Sequence, residues 1–224
     1  MRAMSPARAL AFLIALVASA SLAAQAAVVV GLVGPSPLAV LWVLTLFFTI
    51  WANAAIAATF LAVALRGRPA PASWHGALMA WIAVTGLVFH ALLATGAGAE
   101  GSPFSTGLGW WSTQGLHTAV PLLVLLHWTA FAPKAGLGWR DALLWLLLPL
   151  AFCLFALARG VAEGRFVYPF LDPTALGWDG VALSVLALLG VFLAVHGLIV
   201  GAARLLTRAP PPPAASALSG PRPR

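Results

Sequence analysis

The chain has 224 residues, of which 62% are hydrophobic and only 8% charged. A soluble domain carries about a quarter charged residues, so a soluble globular enzyme is excluded. The 12 Lys and Arg against 5 Asp and Glu leave a formal +7, which in a soluble protein would suggest nucleic acid, and the single cysteine, Cys153, excludes a disulfide scaffold.

The apolar stretches run for about twenty residues or more, the length needed to cross roughly 30 Å of hydrocarbon. The first predicted span, Ala9–Val33, follows Arg2 and Arg8. Its string ASLAAQAA also fits a signal-peptide cleavage region, but the apolar run continues through Val28–Val33. That is too long for a signal h-region, so the reading favours a retained helix. After Gly-Pro-Ser-Pro the second span is Leu38–Leu65, and after two prolines in Arg66–Ser73 the third is Trp74–Thr95. A glycine-rich stretch, Gly96–Gly109, leads to the fourth, Trp110–Ala132. Pro133–Arg140 precedes the fifth, Ala142–Ala158, and the long connection Arg159–Gly180 precedes the sixth, Val181–Leu206. No period-two alternation is visible, and an open sheet leaves its backbone unsatisfied in lipid, so the expected fold is an all-α bundle of six transmembrane helices. This domain covers residues 1–207. The tail 208–224, with four consecutive prolines, cannot bury a core and is expected to be disordered.

Charge sets the orientation. With the N-terminus inside, ten basic residues lie on the inner side, and only Arg159 and Arg165 lie outside. This positive-inside bias places both termini in the cytosol. The +7 is therefore a topology label rather than a nucleic-acid surface.

Ionisable groups inside a span are costly and mark function. The predicted spans hold no deep Asp, Glu, Lys or Arg, which disfavours ion pumps and carriers of charged substrates. They hold His90, His117, His127 and His196, with His75 at the inner mouth of the third. The second span carries Thr45, Thr49 and Asn53 at intervals of four, hence on one face. A packing seam of back-bonded threonines is the alternative reading of that face. In the fourth span Gln114 and His117 are a turn apart, and Pro121 frees a carbonyl beside them. At ~1.5 Å per residue, Thr49 lies about 16 Å and His117 about 11 Å below the outer ends of their spans. A hydroxyl and an imidazole at similar depth are the minimum for an activated nucleophile. Asn53 or Gln114 could orient the imidazole or donate to an oxyanion, and Asp172 could fold into the mouth from the outer loop.

At these residues the chain resembles a known family. FFTIWAN around Thr49 and GLHTAVPLLVLLHW around His117 resemble the two motifs of the androgen-induced membrane hydrolases, whose relatives include the androgen-dependent TFPI-regulating protein. RFVYPFLD, Arg165 to Asp172, is similar to the bacterial members. One departure is visible, because the position of His127 is usually acidic in the bacterial pattern. The resemblance implies a multi-helix hydrolase of the bacterial cytoplasmic membrane with Thr49 as nucleophile and His117 as base. It further implies action on fatty acyl esters such as fatty acid esters of hydroxy fatty acids. His90 joins Asn53, Gln114 and Asp172 as a supporting candidate, with no cofactor and no metal expected. The partners expected are the bilayer and its lipid esters.

Two rival functions remain. One is a haem-b-binding electron-transfer protein, in which His90 pairs with His117, or His127 with His196, as axial ligands at matched depth. The other is a lipid-binding membrane protein without chemistry.

Overall fold

The computed structural model describes residues 4–94 and 102–207, and these are helical with no strand among them. Residues 96–101 of the glycine-rich connection, Glu100 among them, and the tail 208–224 lie outside the described residues. Among the described residues nine α-helices follow in order: α1 (Pro6–Val33), α2 (Pro37–Leu44), α3 (Phe48–Arg66), α4 (Ala72–Val88), α5 (Gly107–Gln114), α6 (Val120–Ala130), α7 (Trp139–Leu144), α8 (Leu147–Glu163) and α9 (Pro173–Leu206). Wide π-helical turns at Phe89–Leu93 and Gly115–Ala119 extend α4 and join α5 to α6. Five helical stretches are long and apolar enough to cross a membrane: Pro6–Val33, Phe48–Arg66, Ala72–Leu93, Trp139–Glu163 and Pro173–Leu206. The described residues are thus all-helical, and these five stretches suggest an integral membrane protein.

The ends follow from local chemistry. Ser5, Ser36 and Asp172 each cap a helix whose next residue is proline, a pairing suited to the unbonded amides of the first turn. Gly67 and Gly164 close α3 and α8 with φ of 66° and 67°, the left-handed geometry that glycine adopts without steric cost.

The core is a contiguous apolar cluster in which α1 lies along α3, α5 and α6, while α4 packs on α3, α6 and α9. At the end where α3 and α4 meet the 67–71 connection, Arg8 donates to the Ala64 carbonyl from Nε at 3.0 Å and Nη2 at 2.8 Å. It thus satisfies a carbonyl in the last turn of α3. Leucines such as Leu38, Leu154 and Leu198 are 70–80% exposed. Such apolar surface suits lipid.

The sixth predicted span begins at Pro173 rather than Val181, and the fifth, Ala142–Ala158, is divided between α7 and α8. Three further changes bear on the site. The segment Leu38–Leu65 is two helices, because Thr45–Phe47 leaves the helical path and Phe47 is extended at φ −114°, ψ 118°. Side chains satisfy the carbonyls opened there. Thr45 Oγ1 donates to Trp42 O at 2.9 Å, Trp51 Nε1 to Thr45 O at 3.0 Å, and Arg159 Nη1 to Trp42 O at 2.5 Å. Arg159, placed by sequence in the outer connection, lies instead within α8 and is 6% exposed. Its Nε pairs with Glu163 at 2.8 Å, and its guanidinium lies 3.8 Å from the Trp42 ring centroid. A buried charge is tolerated because each face of the guanidinium finds a partner. The third change lies in Trp110–Ala132, which is helical through its described length but interrupted by the π-turn at Gly115–Ala119.

Candidate functional site

The break before α3 and the π-turn before α6 bring the two singled-out residues together. Thr49 stands in the first turn of α3 and His117 in the middle of the Gly115–Ala119 turn. Thr49 Oγ1 and His117 Nε2 are 3.0 Å apart. His117 Nδ1 is 2.9 Å from the Thr113 carbonyl, an acceptor only, so Nδ1 carries the ring proton. Nε2 therefore presents its lone pair, and the Thr49 hydroxyl donates to it. Phe89 stacks on the imidazole with centroids 4.0 Å apart and planes 24° from parallel, fixing the ring's other degree of freedom.

The backbone explains why the imidazole can reach. Pro121 has no N–H, so the His117 carbonyl lacks its usual donor four residues on. The wide turn shifts the ladder from four residues to five, as Val120 N bonding Gly115 O shows. Such turns occur at functional positions in helices. The second one, Phe89–Leu93, supplies Phe89 and His90 to the same region.

Beside Thr49, the Phe48 amide donates to the Tyr168 hydroxyl at 3.0 Å, and Ile50 N donates to Phe47 O. The Thr49 amide finds no acceptor among the described residues. First-turn amides have no partner within their own helix, so this N–H remains available beside its own side-chain oxygen.

The supporting candidates divide. Asn53, fully buried, donates from Nδ2 to the Thr49 carbonyl at 2.9 Å and to Leu116 O at 3.3 Å. It ties α3 to the π-turn and holds Thr49 and His117 in register, without bonding the imidazole. His90 and Gln114 belong to a second chain: His90 Nε2–H donates to Thr118 Oγ1 at 3.0 Å, and Thr118 donates to Gln114 Oε1 at 2.9 Å. Asp172 does not reach the pair. Its carboxylate accepts from the amide and hydroxyl of Thr174 at 2.8 and 2.6 Å and caps α9. Sequence reasoning missed Tyr168 and Thr113 as neighbours. The first lies 119 positions from Thr49, and the second contributes only a carbonyl, which carries no sequence signal.

Thr49 and His117 line a cavity of about 940 Å³ bounded by α3, α4, α5, α8 and α9. Its wall is largely apolar, with Val88, Leu92, Phe152, Leu188 and Phe192 among the residues, and no Asp, Glu, Lys or Arg among the described ones. Tyr168, His90 and Gln114 also border it. The size and the few convergent polar groups suit one acyl chain with a reactive carbonyl.

No family model, curated protein or solved structure matches the chain. The geometry therefore carries the functional reading.

The remaining histidines sit elsewhere. His75 and His127 stack with centroids 5.7 Å apart against Phe60, and His196 donates to or accepts no side chain, its Nδ1 bonding the Ala142 carbonyl at 2.8 Å. Because that carbonyl accepts, Nδ1 is the protonated nitrogen of His196. The histidines that the haem reading would pair are otherwise engaged: His117 bonds Thr49 and Thr113, His90 bonds Thr118, and His127 stacks on His75.

Proposed function

We propose that the chain is an intramembrane hydrolase of fatty acyl esters, with Thr49 as nucleophile and His117 as general base. The observation that carries the reading is the 3.0 Å contact from Thr49 Oγ1 to a His117 nitrogen whose tautomer the Thr113 carbonyl fixes. An imidazole held in the neutral form with its lone pair on the hydroxyl is what nucleophile activation requires. The apolar, uncharged wall supports a lipid substrate, and the resemblance of FFTIWAN and GLHTAVPLLVLLHW to the androgen-induced membrane hydrolases points the same way. Fatty acid esters of hydroxy fatty acids are the ester class that this resemblance suggests.

In the reaction Oγ1 forms a bond to the ester carbonyl carbon while its proton passes to Nε2. The carbonyl pair moves onto oxygen, and the free Thr49 amide lies within reach of that developing charge. Collapse breaks the bond to the alcohol, which leaves with the proton from Nε2. Water then attacks the acyl-threonine, again through His117, and releases the acid.

The same reading sets the protein as six spans with both termini in the cytosol, which puts the pair in the outer half of the bilayer. The stretch Gly107–Ala130 supplies the sixth crossing, its π-turn included. A lipid enters sideways between α8 and the broken second span, and water enters from the end bordered by Tyr168.

The deciding experiment measures ester turnover and fluorophosphonate labelling of purified protein. Thr49→Ala and His117→Ala are each expected to abolish both. Wild-type turnover in both variants would sink the mechanism.

A further inference from the structure

Tyr168 is the only tyrosine in the chain. It lies in the short segment between α8 and α9, yet its hydroxyl reaches the first turn of α3 and accepts the Phe48 amide at 3.0 Å. Phe48 is the residue immediately before Thr49, and Tyr168 borders the same cavity as Thr49 and His117. A phenol has one proton to give and lone pairs to accept with. The amide occupies the accepting side, and the proton has no acceptor among the described residues. A cap for a helix amide needs only an oxygen, which serine supplies with far less bulk. Here the oxygen is delivered by a ring packed between Phe152 and Phe170, at centroid distances of 6.1 and 5.1 Å.

We infer that Tyr168 is a catalytic residue of the proposed ester hydrolysis: its hydroxyl donates to the carbonyl oxygen of the substrate as charge develops there. This rests on the hydrolase reading and adds a residue to it. When Thr49 Oγ1 bonds to the acyl carbon and the carbonyl pair moves onto oxygen, the new oxyanion lies beside the amide of Thr49 and the phenol one residue away. Both donate to it, and neither loses its proton. The proton that moves is the threonine's, to His117 Nε2 and then to the departing alcohol. The second half-reaction, attack of water on the acyl-threonine, passes through the same oxyanion and uses the same donors. The Phe48 amide polarises the phenol by donating to its oxygen and so makes its proton a better donor. Burial pushes the Tyr168 phenol up to about 12, against a smaller opposing pull from the Phe48 amide. The donor therefore stays protonated over any ordinary assay range.

The test compares full-length wild type, Tyr168→Phe and Thr49→Ala in nanodiscs, with a nitrophenyl ester of a long-chain acid as substrate. Tyr168→Phe keeps the ring packing. Its kcat is expected to fall about 100-fold with KM within threefold of wild type, the size found when one oxyanion donor is removed. A kcat within twofold of wild type, while Thr49→Ala is inactive, overturns the inference and leaves the hydrolase reading standing. If wild type shows no Thr49-dependent turnover, the hydrolase reading falls and this inference with it. A second measurement separates donation from helix capping, and serves also if the phenylalanine variant folds poorly. A ring-fluorinated, more acidic tyrosine placed at 168 adds an alkaline limb to kcat if the phenol must donate. Capping alone predicts no such limb, because a phenolate accepts the Phe48 amide more strongly than a phenol does.

Discussion

Gly86 of α4 lies against the His117 carbonyl: a Cβ at residue 86 would stand 3.0 Å from that oxygen and 3.5 Å from the Pro121 ring. The carbonyl is the one that Pro121 frees from the helix ladder, so the two helices approach closely at the turn that presents the imidazole. A methyl group there forces a shift of a few tenths of an ångström, and the shift falls on the backbone of the base.

Gly86→Ala therefore separates stability from activity. Alanine in a helix gains about 0.5–1 kcal/mol over glycine, which offsets part of the crowding. The melting temperature is expected to change by a few degrees at most, while ester turnover falls at least tenfold because the Thr49–His117 contact lengthens. Equal losses in both would show that Gly86 serves packing alone.

Arg159 gives a second test at the broken span. Its Nη1 reaches the Trp42 carbonyl and, at 3.2 Å, Thr45 Oγ1, so one buried side chain holds α2 to α8 just ahead of the nucleophile. Arg159→Met removes these bonds and the ion pair with Glu163, leaving Thr45 Oγ1 as the one side-chain donor to the Trp42 carbonyl, at a cost of about 1–3 kcal/mol. Thermal denaturation in detergent should show a clear drop for Arg159→Met and a smaller one for Glu163→Gln. The glutamine still accepts from Trp42 Nε1, which bonds Glu163 at 2.9 Å. An unchanged melting curve for Arg159→Met would dismiss the strut.

These two positions mark what the sequence could convey. Hydropathy marked the apolar helical stretches, since burial in lipid depends on local composition. It set the start of the second span ten residues and that of the sixth eight residues from the observed helix starts, and the fourth is not among the five membrane-length stretches. The spacing of Thr49 with Asn53, and of Gln114 with His117 and Pro121, singled out the two residues that the fold brings into contact, since helical periodicity is also local. The break at Thr45–Phe47 was not legible, because no proline or glycine marks it and its support, Arg159, comes from 114 positions away. Tyr168 was likewise hidden, and Asp172 looked available until its carboxylate was found occupied by the residue two positions on. Long-range polar contacts leave no period for a sequence to display.

The first helix bears on processing. In α1 Gln25 accepts the Ser112 hydroxyl at 2.6 Å, and a Cβ at Gly115 would collide with the Ser21 side chain. Ile14, Ala18 and Val29 are fully buried. Cleavage after the ASLAAQAA string would strip α3, α5 and α6 of this partner and expose the turn that carries His117. Intact mass measurement of the membrane-purified protein is expected to include residues 1–27, and a mass lacking them would restore the signal-peptide alternative.

Asp172 supplies the pH dependence. The Thr174 hydroxyl, and then the Thr174 amide, hold its carboxyl below its ordinary value of 3.8. A group whose folded value is depressed binds its proton more readily when unfolded, so stability rises with pH across the interval between the two values. The contribution is complete above the ordinary value and disappears as pH falls through the lower, folded one. Wild type should accordingly lose melting temperature on acidification below about pH 4, within the ordinary carboxylate range. Asp172→Asn, which caps the same amide without titrating, should lose less over that interval. The comparison is made at matched salt and detergent. Parallel acid profiles for the two proteins would mean that the cap of α9 adds nothing to folding through its charge.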